Sequence, residues 1–238
     1  MHKIRVGGLL VDVVRKNIKN MHLAVYPPTG RVRVAVPLRI DDEAVRLAVT
    51  TRLPWIRKHQ RKFDGQERQS AREYVSRESH YFLGRRYLLN VIERPGPAGV
   101  VMTSRPSIEL HISERTNRRG REKILYEWYR KQLKAIIPDM IKKWEEIMGV
   151  QVSAWGVKRM KTRWGSCNSV ARRIWINLEL AKKPLECLEY IIVHEMVHLL
   201  ERNHNERFTA YLDRFLPEWR TRRDLLNSFP LRHESWQY

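Results

Sequence analysis

Two imidazoles four residues apart, with a carboxylate beside the first, stand in Tyr190-Ile191-Ile192-Val193-His194-Glu195-Met196-Val197-His198-Leu199-Leu200. The rest of this stretch is apolar with no polar stripe, so a helix formed over it is a buried helix. Burying a carboxylate and two imidazoles costs several kcal/mol unless something compensates them. A bound dication compensates all three better than a hydrogen-bonded pair of core histidines does. Residues four apart share one helix face with Cβ atoms about 6 Å apart, so both imidazoles can reach one metal. Glu195, one step along, falls beside the metal, where it could take a proton from water whose acidity the metal has raised. This is the His-Glu-x-x-His pattern of zinc metalloproteases.

A catalytic zinc needs a third protein ligand and one open position. Downstream candidates are His204, His233, Glu201 and Asp213. His204 fits best, because Asn203 could leave the helix in a left-handed conformation and turn the chain back beneath the metal. The ten-residue offset from His194 to His204 is also that of the metzincins, but Glu201 stands where they carry Gly, and no Met follows Met196. The chemistry expected is peptide-bond hydrolysis with Zn2+ as cofactor and Glu195 as general base. Tyr211, Arg163 or Lys161 could stabilise the oxyanion, and the spacing does not choose among them.

The elements that must position these residues suggest an α+β fold. Alternation in twos from Ile4 to Val36, clearest in Arg31 to Val36 after Pro27-Pro28-Thr29-Gly30, predicts antiparallel hairpins with one buried face. One helix is expected from about 41 to 63, capped by Asp41 or Asp42, and a charged linker follows from Asp64 to Ser79. Strand-like runs recur at Arg86–Ile92, Val100–Thr103 and Ser107–Ile112. A long helix from Arg118 to Met148 should be kinked or divided at Pro138 and stopped by Gly149. Beyond it, Val150–Val157, Arg159–Arg163 and Arg173–Asn177 read as strands, with Trp164 to Asn168 as a packed turn. In that turn Cys167 has the choice of a buried structural thiol or an extra ligand or redox group, and the first suits small residues in tight contact. Arg173–Asn177 could offer an edge to an extended peptide. Leu185–Glu201, Glu206–Phe215 and Glu218–Leu226 read as helices, with Pro184 in the first turn of the first and a loose tail from Phe229. The organisation expected is a β-rich part over residues 1–112 and a peptidase domain over 113–238.

The 238 residues carry 46 Lys and Arg against 26 acidic residues, a formal net charge of +20. Such a charge attracts polyanions, so nucleic acid is a possible partner beside a peptide or protein substrate. Basic residues interleaved with aromatics at Lys158 to Trp164 and Trp219 to Arg223 could serve it. The alternative function is therefore a nucleic-acid-binding protein with a structural or silent zinc. Two cysteines, no apolar run of bilayer length and no signal-like start point to a cytoplasmic protein without disulfides or a membrane partner.

The sequence resembles the YgjP-like metallopeptidase family, described as metal-dependent hydrolases and related to the SprT-like zinc peptidases. Carrying the resemblance are Arg163-Trp164-Gly165-Ser166-Cys167, Ile174-Trp175-Ile176-Asn177, His194 to His198, Asn203-His204 and Phe208. In the front half it rests on Arg31–Leu38, Trp55-Ile56 and Leu83-Gly84-Arg85-Arg86-Tyr87. It implies zinc ligands at His194, His198 and His204, a catalytic Glu195, and a zincin-like domain in which an antiparallel sheet lies against the site helix. Glu201, Asn205 and Thr209 stand where members often carry His, Ser and Trp, and none of these departures removes a ligand. The related SprT-like enzymes digest proteins attached to DNA, which makes such proteins possible substrates here.

Overall fold

The computed structural model describes residues 2–26, 29–64, 72–160 and 163–228. Pro27 and Pro28 of the expected turn, part of the expected linker, Lys161, His233 and the tail from Phe229 lie outside the described residues. Contacts divide the chain between residues 71 and 72 into two compact units.

In the first unit, strands β1 (His2–Val6), β2 (Leu9–Lys16), β3 (His22–Tyr26) and β4 (Arg31–Pro37) form a sheet in the order β1-β2-β4-β3. The outer pairs are antiparallel, as expected for hairpins, but β2 and β4 run parallel. Alternation reports which face is buried and not the direction of the partner, so the sequence pattern was blind to this pairing. Val11, Val13, Val32, Val34 and Val36 make that face and pack with Val45, Val49 and Ile56. These last three come from two helices, α1 (Asp42–Thr51) and α2 (Leu53–Asp64), where one was expected. Asp41 caps α1 by accepting from the Ala44 N–H at 2.8 Å. The break at Arg52 has a local cause: Pro54 has no N–H to give the Thr50 carbonyl and its ring crowds that group, whereas in the first turn of α2 it is tolerated.

The second unit holds a sheet ordered β5-β6-β8-β7, made of β5 (Ser79–Phe82), β6 (Arg85–Glu93), β7 (Gly99–Met102) and β8 (Ser107–Ile112). Residues 79–112 thus pack in the unit that carries the site. Its core is shared with α3 (Arg118–Met148), whose Leu125, Tyr129, Leu133, Ile137 and Ile141 recur every four residues and are buried. Asn117 caps this helix, and Gly149, at φ 65°, ends it in the left-handed region. Pro138 does not divide it; the helix runs through unbroken.

A second sheet, of β9 (Ala154–Lys158), β10 (Gly165–Asn168) and β11 (Arg173–Asn177) in the order β10-β11-β9, positions the site. Three expectations change here. Gly165–Asn168 is a strand paired antiparallel with β11, because its small residues lie flat against a neighbour and the chain reverses only at 169–172. Arg159 and Met160 are not in a strand. β11 is the central strand, antiparallel to β10 but parallel to β9, so the sheet is mixed and its free edge on the β10 side belongs to β10. After a 3-10 turn at Leu178–Lys182 comes the buried helix α4 (Leu185–Val197), against which β10, β11, α3, α5 (Glu206–Phe215) and α6 (Trp219–Ser228) pack.

Asn177, 4% exposed, ties this arrangement together. Its Nδ2 donates to the carbonyls of Met160 (2.9 Å) and Arg163 (2.7 Å), and its Oδ1 accepts from Met160 N (3.3 Å) and Glu179 N (3.2 Å). Asn177→Ala leaves several of these groups buried and unpaired and should cost about 3 kcal/mol in urea unfolding. A loss below about 1 kcal/mol would show that the bonds contribute little.

Candidate metal centre

His194 and His198 come from α4, which is apolar around most of its circumference as its sequence requires. The helix ends at Val197 with His198 as its last cap, and 2.9 Å bonds from Leu199 N to Met196 O and from Leu200 N to Val197 O tighten the final turn. The chain then turns without a left-handed residue at Asn203: among the described residues, the non-glycine residues with positive φ are Tyr74, Arg77, Leu83 and Arg172. Instead, the Glu201 carboxylate accepts from Asn203 N at 3.1 Å, and Asn205 caps α5 through Phe208 N at 2.9 Å. The polar side chains on either side of Asn203 make the turn that was expected from Asn203 itself.

This turn returns His204 to the helix. Its Nε2 lies 3.0 Å from Nε2 of His194, and the ligand atoms of His194, His198 and His204 all lie within 4.8 Å of one another. Phe208 forms the floor, with its ring centroid 4.6–5.0 Å from all three imidazoles. His198 Nδ1 faces the Glu201 carbonyl at 3.2 Å, so an Nδ1–H donated there leaves Nε2 as the ligand atom.

The electrostatics favour uncharged nitrogen donors. Burial, reinforced by the other two imidazoles, pushes His194 down to about 3. Burial also lowers His198, against the opposing hydrogen bond to Glu201. Tetrahedral ligands at ordinary zinc–nitrogen lengths are about 3.3 Å apart, so imidazole nitrogens brought this close fit a divalent ion. An all-imidazole set suits zinc and its transition-metal neighbours better than magnesium or calcium.

Glu195 is 5% exposed, and its burial raises the carboxyl to about 8, although the Arg163 charge pulls the other way. β10 passes directly over it at Gly165. A Cβ on Gly165 would meet Glu195 Oε1 at 2.4 Å and Cγ at 2.7 Å, so only glycine admits the carboxylate in this position.

The site opens into a cavity of about 1000 Å³ between β10, α4 and α6. Of the expected oxyanion donors, Arg163 lines this cavity, Tyr211 does not, and Lys161 lies outside the described residues. Tyr211 sits on α5, stacked on Phe215 and accepting from Arg207 at 3.3 Å. Of the other ligand candidates, Asp213 accepts from Trp219 and Arg220. Cys167 lines the cavity, but burial, then the nearby Glu195 charge, push its thiol up to about 11.

Tyr190, Arg202 and Arg223 also line the cavity and were missed by sequence reasoning. Tyr190, four residues before His194, was legible from helical spacing; Arg223 was not, since the packing of α6 brings it there. In the first basic aromatic stretch Trp164 is half-buried and lines the cavity, while Lys161 and Thr162 lie outside the described residues. Trp219 is only 8% exposed, with Arg220 and Arg223 at 4.4 and 5.1 Å over its ring. Arg159 pairs with Glu122 at 3.3 Å, and Arg222 with Glu189 and Glu218.

Among the described residues, no helix is long and apolar enough to cross a membrane. A family model described as "YgjP-like, metallopeptidase domain" matches residues 19–229. No curated protein matches the chain.

Removing the third imidazole tests the centre directly. His204→Ala should weaken zinc binding, read by competition with a chromogenic chelator, by more than about a hundredfold, beyond the effect of losing an outer hydrogen-bond partner. Unchanged affinity would remove His204 from the ligand set.

Proposed function

The chain belongs to the YgjP-like metallopeptidase family, and from that premise we propose that it is a zinc-dependent peptidase whose metal is held by His194, His198 and His204, with Glu195 as its general base. A metal-dependent peptidase domain accounts for nearly the whole chain. The observation that carries the finer reading is the convergence of three imidazole nitrogens beside a buried carboxylate that faces an open cavity. A structural zinc site has no use for that carboxylate, or for a glycine that makes room for it.

Zinc bound there would supply Lewis acidity toward the scissile carbonyl and make water a stronger acid. Glu195 takes the proton of the attacking water and passes it to the leaving amine nitrogen. Its raised affinity for a proton suits both halves of that transfer. Arg163, whose backbone Asn177 pins, is the candidate to stabilise the negative charge that develops on the carbonyl oxygen. The free edge of β10 borders the cavity, and an extended peptide can pair with it as a further strand. The +20 charge supports substrates that include proteins bound to nucleic acid, and two free cysteines support a reducing, cytoplasmic setting. DNA affinity that is absent at low salt would count against the nucleic-acid part of this reading.

Two variants separate binding from chemistry. Glu195→Gln should keep a full equivalent of zinc and lose about a thousandfold in the rate of casein or peptide-library cleavage; retained cleavage with zinc bound would contradict the base assignment. Gly165→Ala should also keep zinc while losing about a hundredfold, because it displaces the carboxylate and not the ligands. Wild-type rates in this variant would mean that the position of Glu195 is immaterial.

A further inference from the structure

The charge lining the cavity is one-sided. Arg163, Arg202 and Arg223 reach it from three separate segments, whereas Glu195 is the one carboxylate among the described lining residues and is buried. Arg223 belongs to α6 and Arg202 to the turn between α4 and α5. Arg223 lies over the Trp219 ring at 5.1 Å, and that ring stacks on Tyr190, one helical turn before His194. Arg202 follows the other end of the triad, between His198 and His204. From Tyr190 to His198 the helix rises about 12 Å, which an extended peptide covers in about four residues.

Among the described residues, neither arginine is paired with a cavity carboxylate. Arg223 Nε donates to the adjacent Asp224 at 3.2 Å, in an exposed pair that solvent screens and that leaves the guanidinium available. Glu201, the acidic residue next to Arg202, turns its carboxylate onto the Asn203 N–H. A cleft with cationic walls on a low-dielectric floor concentrates anionic groups. Trp219 also holds Arg223 in place, so less freedom is lost when a carboxylate pairs with it.

We propose that this cleft selects acidic peptide segments, with Asp or Glu side chains on both sides of the scissile bond meeting Arg202 and Arg223. The inference rests on the peptidase reading for the bond cleaved, but the charge selection itself does not require turnover.

The test uses zinc-loaded full-length Glu195→Gln protein and fluorescein-labelled peptides of one sequence that differ only in carrying Asp/Glu, Asn/Gln or Lys on both sides of a central bond. By fluorescence anisotropy at low salt, the acidic peptide should bind about tenfold more tightly than its amide isostere, the combined effect of two partly exposed ion pairs. The Lys peptide should bind more weakly still, and high salt should erase the differences. The further double change Arg202→Gln/Arg223→Gln should abolish the preference with zinc content unchanged, and Arg202→Glu/Arg223→Glu should turn it toward the Lys peptide. Equal binding of acidic and amide peptides, or a preference that survives both double variants or high salt, would overturn the proposal. Acidic preference in binding with no cleavage of any peptide by the wild type would count against the peptidase reading and leave the charge selection standing. Cleavage that is indifferent to acidic residues would do the reverse.

Discussion

Burial of α4 is the constraint on which the rest depends. A helix that is apolar nearly all round has to be enclosed, and here β10, β11, α3, α5 and α6 enclose it. His194 and Glu195 go in with it, and burial disfavours the charged form of each, which lowers the imidazole and raises the carboxyl. A neutral nitrogen donor is what a metal requires, and a carboxyl poised near neutrality is what proton transfer requires. One desolvating environment thus acts on both groups of the proposed centre.

The surrounding elements serve that constraint at short range. Gly165 brings the β10 backbone onto Glu195 closely enough to fix it, while leaving the strand's edge open toward the cavity. Phe208, in the first turn of α5, packs on all three imidazoles, so the Asn205 cap that starts α5 also levels the floor of the centre. Asn177 holds the other approach by anchoring Met160 and Arg163. The short polar residues between α4 and α5 act through local hydrogen bonds, and these return His204 to His194.

The grouping of the three histidines was legible without coordinates. His194, Glu195 and His198 stand out because polar groups on an apolar helix need a reason to be there, and His204 followed from the need for a third ligand. What stayed hidden depends on partners distant in sequence. Alternation identified the buried valines of β2 and β4 but not their parallel pairing. Gly165 to Asn168 contains residues common in turns, and only pairing with β11 makes it a strand. Pro54 announced a helix break, but the apolar pattern continued across it from Val49 to Ile56 and concealed the boundary. Tyr211 looked as suitable as Arg163 for the oxyanion until the packing of α5 turned it onto Phe215.

The central claim is that three imidazoles hold one zinc while a fourth position stays open toward Glu195. X-ray absorption at the zinc edge of the purified protein tests it most directly. The expected result is one equivalent of zinc with three imidazole nitrogens and one oxygen at about 2.0–2.1 Å. A sulfur ligand contributed by Cys167, a closed shell of four protein nitrogens, or no stoichiometric zinc uptake would contradict it.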